Sequence, residues 1–462
     1  MPTVQLTDRM MLAVDSTDTP QQIALLCTLR KPAGAPEDYV QRLADRLREF
    51  RTFAAPFNYR LAQHRLRSLL PSYQVLDDDE IDLDFHLRLD ALARPGDQRQ
   101  LNELVSRMHS HPLDPTRPMW EFHLIDGLED NRFAVYSKMH HAMMDGVGAS
   151  RRLQRMFTTD GDDQDLRAPW TIGPDVTRSA PASAGMASRV AGLAVSVTRN
   201  TKMLGGLARA GAGIVADALP HTDSDLAVVF KVPASILNGP IGRHRTIATQ
   251  SFDFERIRAV AKAAEVTVNE TFLAISAGAL RRYLADLGEL PATSLTVGAP
   301  VNVREDATAD ITNAFTMTAM KLFTDIDDPA DRIAAIHRSS TLAKGRLVKL
   351  TKPVAKNYPA LFLTPFAAGN VLGVAGHTPP PFNVMISNIP GPIEPQYWAG
   401  APLEVVYPIG PVYHGSRMFI ASFSGSSKFG IAINADRNSI PHLQRLADYM
   451  TDALDELELA VL

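Results

Sequence analysis

A single cysteine in 462 residues excludes an internal disulfide and any Cys-x-x-Cys metal site. Cys27 lies in the apolar run Ile23-Ala24-Leu25-Leu26-Cys27, the setting of a buried, inert thiol, and a chain so poor in cysteine fits a reducing, cytosolic compartment. No HExxH helix is present, so the commonest zinc-hydrolase pattern is excluded and no metal is expected. No GxSxG elbow is present either; Ser424-Gly425-Ser426 lacks the leading glycine. Phosphate-cradling GxxxxGK[ST] and GxGxxG loops are missing, which removes the usual nucleotide cofactors. Met1-Pro2-Thr3-Val4-Gln5 has no basic start followed by an apolar core and does not read as a secretory signal. One uncharged run, residues 358–376, approaches membrane-spanning length, but Pro359, Pro365 and Asn370 interrupt it. It reads as buried backbone near a ligand passage.

What is present is the balance of a globular protein, with 45% apolar and 21% charged residues. The formal net charge of −4 gives no general attraction to nucleic acid. The length predicts two domains. Hydrophobic periodicity predicts strands over residues 20–30, 82–89 and 132–139, with helices over 36–50 and 99–109. A change of composition from about residue 159 marks a linker. It is followed by a mildly basic amphipathic stretch, 186–219, which reads as a crossover helix or a lipid-surface contact. Beyond it, strands are predicted at 245–254, 294–303, 315–322, 383–387, 418–423 and 429–434. Helices are predicted at 254–261, 267–284 (with Thr267 and Glu270 as a capping box) and 441–459. Strands and helices mix without regular βαβ alternation, so the fold class is α+β with mixed sheets. The domains are expected as an N-terminal lobe, 1–160, a linker and crossover segment, 161–239, and a C-terminal lobe, 240–462.

The most chemically informative segment is His140-His141-Ala142-Met143-Met144-Asp145-Gly146, at a predicted strand-to-helix junction. Side chains alternate along a strand, so the two imidazoles should diverge and only one should face a given cavity. Histidine titrates near neutrality and is suited to take a proton from a hydroxyl. With nucleophile, metal and nucleotide motifs missing, the chemistry left is general-base catalysis. His141 would deprotonate a bound hydroxyl, whose oxygen would attack an acyl carbonyl. Asp145 would hold the loop, and Gly146 would let the backbone pass close to substrate. Asn269, Ser387 and Asn388 are candidate donors to the resulting oxyanion.

The order of further blocks resembles the bacterial wax ester synthase/diacylglycerol acyltransferase family, within the wider chloramphenicol acetyltransferase-like superfamily. The resemblance starts at Leu12-Ala13-Val14-Asp15-Ser16-Thr17-Asp18-Thr19-Pro20 and continues through Pro112-Leu113-Asp114-Pro115-Thr116-Arg117-Pro118-Met119-Trp120 to the paired histidines. It includes Asn238-Gly239-Pro240-Ile241, Thr267-Val268-Asn269-Glu270 and Ser387-Asn388-Ile389-Pro390-Gly391-Pro392. It implies two acyltransferase lobes with an inter-lobe tunnel, His141 as general base and Asp145 as its structural partner. It also implies functional roles near Asn269 and in the Pro112–Trp120 block, so Trp120 joins the candidate substrate-binding residues. The implied donor is acyl-CoA, a co-substrate, with no cofactor or metal. The implied acceptor is a fatty alcohol or diacylglycerol, and the setting is the inner membrane or a lipid-inclusion surface. Departures from the family's blocks, such as Pro20-Gln21-Gln22-Ile23-Ala24 and Pro118-Met119-Trp120, bear on acceptor preference. Two competing readings are a condensation-type acyltransferase fed by a carrier protein, and a non-catalytic lipid-inclusion protein.

Overall fold

A computed structural model describes residues 6–62, 71–144, 146–173, 225–302, 315–348, 368–369 and 373–462. In the first half of the chain, α1 (Leu6–Val14) leads into β1 (Gln22–Arg30), α2 (Tyr39–Leu47) and the small hairpin β2 (Tyr59–Leu61) and β3 (Tyr73–Val75). Then come α3 (Leu83–His86), β4 (Leu87–Ala91), α4 (Gln98–His109), β5 (Trp120–Leu128), β6 (Arg132–His140) and α5 (Gly146–Met156). The second half contains β7 (Arg245–Asp253), α6 (Phe254–Ala263), α7 (Val268–Asp286), β8 (Thr296–Asn302), β9 (Phe315–Lys321) and α8 (Pro329–Val348). It ends with β10 (Val384–Pro390), β11 (Tyr397–Trp398), β12 (Ala401–Ile409), β13 (Met418–Ser424), β14 (Lys428–Asp436) and α9 (Leu443–Val461).

Two six-stranded sheets organise the molecule, in the orders β11-β12-β1-β6-β5-β4 and β7-β14-β13-β10-β8-β9. Both mix parallel and antiparallel pairs, as the α+β reading expects: β4 runs parallel to β5, and β10 runs parallel to both β13 and β8. The first sheet is not built from the first half alone. β12 pairs antiparallel with β1, so residues 397–409 cross back and extend the N-terminal sheet. A division by sequence position alone therefore misses this exchange.

Local signals account for the helix starts. Asp97 opens α4 by accepting from the Gln100 N–H, and Thr267 opens α7 by accepting from Glu270, each within a capping box. The expected strand over 82–89 is shorter: residues 83–86 turn once as α3, and β4 begins at Leu87. The cause is His86, whose Nδ1–H donates to the Trp120 carbonyl at 2.7 Å while its ring stacks on the indole. Position 86 is thus drawn into the core and out of the alternation.

Helix α4 joins the sheets. β7 is an edge strand, and unpaired backbone N–H groups at a buried edge are costly. Ser110 Oγ accepts from the Arg245 N–H at 2.8 Å, and Ser106 Oγ accepts from the Ile247 N–H at 2.9 Å. Asn102 accepts from the Thr249 hydroxyl at 3.0 Å. Four residues of helix rise (about 6 Å) match two residues of strand (about 6.8 Å), so Asn102, Ser106 and Ser110 face alternate residues of β7. Ile247 and Ala432 of the second sheet share a core with Leu101, Val105, Tyr136 and Leu26. Replacing Ser106 and Ser110 together by alanine strands two edge donors. Chemical denaturation should show a loss of about 1–3 kcal/mol per serine, and unchanged stability would contradict this account of the seam.

Candidate active site

Strand β6 ends at His140. The His140 N–H donates to the Met119 carbonyl at 3.0 Å, and the His141 N–H donates to the Gln21 carbonyl at 2.7 Å. The paired histidines are thereby clamped between the block before β5 and the segment before β1. His140 is buried, with 2% of its surface exposed, whereas His141 is half-buried and starts the turn toward α5. That turn is closed by the Ala142 N–H on His140 Nδ1 at 3.1 Å and the Met143 N–H on the His140 carbonyl at 3.0 Å. Tyr73 Oη also donates to the Ala142 carbonyl, at 3.3 Å. The two residues thus differ in kind: His140 organises the turn, and His141 is the one presented by it.

Behind the pair lies a buried ionic network. Lys138 is fully buried on the His140 face of β6, and its Nζ lies 2.7 Å from Glu121 Oε2. The same ammonium donates to the Met108 and His111 carbonyls at the end of α4, at 3.2 and 3.1 Å. A cation at a helix C-terminus is electrostatically favoured. His123 links Glu121, at 3.4 Å, to Asp90, at 2.8 Å. Burial raises the Glu121 pKa, but the His123 hydrogen bond and the Lys138 charge outweigh it and hold the carboxyl at about 2. Burial lowers the His123 pKa, yet its two carboxylate partners prevail and raise it.

The remaining expected site residues fall at different places. Trp120 is enclosed: its Nε1–H donates to the Phe57 carbonyl at 2.9 Å, and its ring meets His86, Phe57 and Trp170. These contacts give Trp120 a packing role that fixes the start of β5. Ser387 and Asn388 are half-buried in β10. Alternation puts Asn388 on the face of Ile386, where its Oδ1 accepts from Ser422 Oγ at 3.0 Å. Ser387 shares the opposite face with Ile389, which joins the N-terminal core containing Ala149 and Met156 of α5. Helix α5, directly after the paired histidines, packs against β10, so the Ser387 face adjoins the motif. Asn269 is half-buried in the first turn of α7, and no hydrogen bond links it to the histidines. Asp145 lies outside the described residues; Gly146 begins α5. Arg281 and Arg282, neighbours on α7, are engaged by Asp327 and by Asp452 with Glu456. Among the described residues no group of three or more His, Cys, Asp and Glu could hold a metal ion.

Two further polar residues tie segments together, Asn238 from a block that carried the resemblance and Arg245, which had no signal in the sequence. Asn238 donates to the Phe382, Asn383 and Gly415 carbonyls, and its Oδ1 accepts from Asn383 at 2.7 Å. Arg245, 3% exposed, donates to the Asp18 carbonyl and so ties the second lobe to the segment that precedes β1. Burial depresses its pKa to about 10.

Two mixed sheets, the first extended by an exchanged strand and ending in a histidine pair, form a fold of the chloramphenicol acetyltransferase-like class. The first condensation domain of the calcium-dependent antibiotic synthetase shares this fold with a TM-score of 0.60 at 15% identity, covering 99% of this chain and 96% of that one. The chain belongs to the wax ester synthase/diacylglycerol acyltransferase family: the family's catalytic domain matches residues 5–272 and its C-terminal domain residues 311–458. A wax ester synthase/diacylglycerol acyltransferase structure from Marinobacter aquaeolei superposes with a TM-score of 0.78, at 34% identity and full coverage of both chains. A probable diacylglycerol O-acyltransferase of Mycobacterium tuberculosis is 36% identical, covering 98% of each chain. The O-acyltransferase WSD of Acinetobacter baylyi is 32% identical, covering 98% of this chain and 96% of that one.

Acid sensitivity follows from the buried imidazoles near this site. Burial lowers the His86 pKa to about 4 and that of His109 well below its ordinary value. A folded-state pKa below the unfolded one gives stability that is full above about pH 6.5 and is lost as pH falls through about 4. For His86 the contribution is on the order of 3 kcal/mol. Unfolding free energy measured from pH 7 to 4 should fall steeply, and His86→Gln should flatten that fall. An equally steep fall in the variant would remove His86 as a source.

Proposed function

We propose that this protein transfers a long-chain acyl group from acyl-CoA to the hydroxyl of a fatty alcohol or diacylglycerol, with His141 as general base. The observation that carries the reading is the turn at the end of β6, which holds His141 by its backbone and leaves the residue half-buried at the entry to α5, the helix that packs against β10. The family membership supports the substrate classes. His141 takes the acceptor's proton as its oxygen attacks the thioester carbon. The tetrahedral oxyanion collapses, the carbon–sulfur bond breaks, and the proton passes from the imidazolium to the departing thiolate. The products are an ester and free CoA. Ser387, Asn388 and Asn269 remain the proposed oxyanion or substrate contacts, and Asp145 the proposed brace of the loop. Donor and acceptor would reach the base separately, through a passage between the lobes.

Both acceptor and product are water-insoluble, which favours work at the inner membrane or a lipid-inclusion surface. The attachment we propose is peripheral; no helix among the described residues is long and apolar enough to cross a membrane.

The test is His141→Ala assayed with palmitoyl-CoA against hexadecanol and dioleoylglycerol. Esterification should fall by about 10²–10⁴-fold on both acceptors, with the thermal midpoint close to that of the unsubstituted protein. Full activity in the variant would overturn the base assignment. Absence of activity on both acceptors in the unsubstituted protein would overturn the substrate classes.

A further inference from the structure

Asp15 stands apart from the ionic network and belongs to no step so far described. Its Oδ1 accepts from the Gln21 N–H at 2.8 Å. The Gln21 carbonyl in turn accepts from the His141 N–H at 2.7 Å. The same Oδ1 lies 3.6 Å from Nε2 of His140. One carboxylate therefore faces both histidines, the first directly and the second through the N–H and C=O of one residue, Gln21.

The tautomer of His140 follows from its other nitrogen. The Ala142 N–H donates to Nδ1, so Nδ1 bears no proton and the hydrogen of the neutral ring sits on Nε2. Nε2 is buried and has no partner within hydrogen-bonding distance. A buried donor without an acceptor is costly, and the alternative tautomer would place a second hydrogen against the Ala142 N–H and open the turn. Asp15 Oδ1 faces this donor. The Asp15 side chain is 34% exposed, so a small rotation brings its oxygen within bonding range.

We infer that Asp15 is a positioning residue: it holds His140 in the Nε2–H tautomer, and through His140 Nδ1 and the Gln21 peptide it fixes the turn that presents His141. The inference rests on His141 being the base. It assigns His140 a purely local task, that of keeping the Ala142 N–H satisfied. It also explains why an acid belongs just before β1, on a segment that otherwise only leads into the sheet. The same logic governs ring orientation wherever a carboxylate fixes one nitrogen of a histidine so that the other is free for its task.

The test is a double-mutant cycle of Asp15→Ala and His140→Asn in the full chain, read by kcat, by KM for palmitoyl-CoA and by thermal midpoint. Asp15→Ala should lower kcat about tenfold or more with KM unchanged within twofold. In the His140→Asn background the same substitution should cost clearly less than it does alone, because the route through His140 is gone and only the one through Gln21 remains. Asp15→Asn keeps an oxygen for both contacts and should retain at least a third of the activity. Fully additive losses, or a loss in Asp15→Ala that appears in KM alone, would overturn the proposal. So would a loss that tracks the thermal midpoint and is not rescued by Asp15→Asn. His141→Ala measured alongside keeps the base assignment separate, because its activity reports on that step whatever the cycle shows.

Discussion

Helix α4 is the part on which the arrangement of the two sheets depends. Its hydroxyls and Asn102 cover the open edge of β7, and its last carbonyls receive the buried ammonium of Lys138. One helix thus satisfies an exposed strand edge on one lobe while its own C-terminus is satisfied by the other. Both sets of groups lie beside a shared apolar core, which makes these contacts more favourable than leaving them unmade. The exchange of β12 adds a second tie, with its own hydrogen-bond ladder to β1. Relative placement of the lobes is therefore written into polar contacts of fixed geometry as well as into apolar burial.

The same strand that carries Lys138 ends in the paired histidines two residues later. Docking of α4 and presentation of His141 are consequences of one register, in which β6 is flanked by β1 and β5. Lys138 and His140 share a face, so the residue that secures the seam lies next to the residue that organises the turn. The block before β5 contributes through Met119, whose carbonyl receives the His140 N–H, while the adjacent Trp120 is locked into stacked rings. A change in this aromatic cluster would reach the paired histidines through the Met119 backbone.

Much of this was legible in the sequence where local rules dominate. The capping box at Thr267, the alternation of β6 and the mixed-sheet class all follow from short-range patterns. The helix over 329–348 and the strands over 120–128 and 401–409 did not stand out. β12 owes its place to long-range pairing with β1, which no local pattern reports. Residues 82–89 alternate, but the bond from His86 to Trp120 overrides the strand at its start. At the site, the paired histidines were evident from their spacing. The task of Asp15, the chain of contacts through Gln21 and the lobe-spanning bond of Arg245 to Asp18 needed the fold. They join residues far apart in sequence through backbone groups, and backbone groups have no sequence signature.

The central claim is that a turn-held imidazole at the end of β6 meets the acceptor hydroxyl directly. The most direct measurement is a crystal structure of the protein with a non-hydrolysable acyl-CoA thioether and a long-chain alcohol. The account predicts the alcohol oxygen within about 2.6–3.2 Å of a His141 ring nitrogen, with the thioether sulfur and adjoining carbon on the far side of that oxygen. An alcohol bound elsewhere, with the His141 ring closed off by protein atoms in the ternary complex, would contradict it.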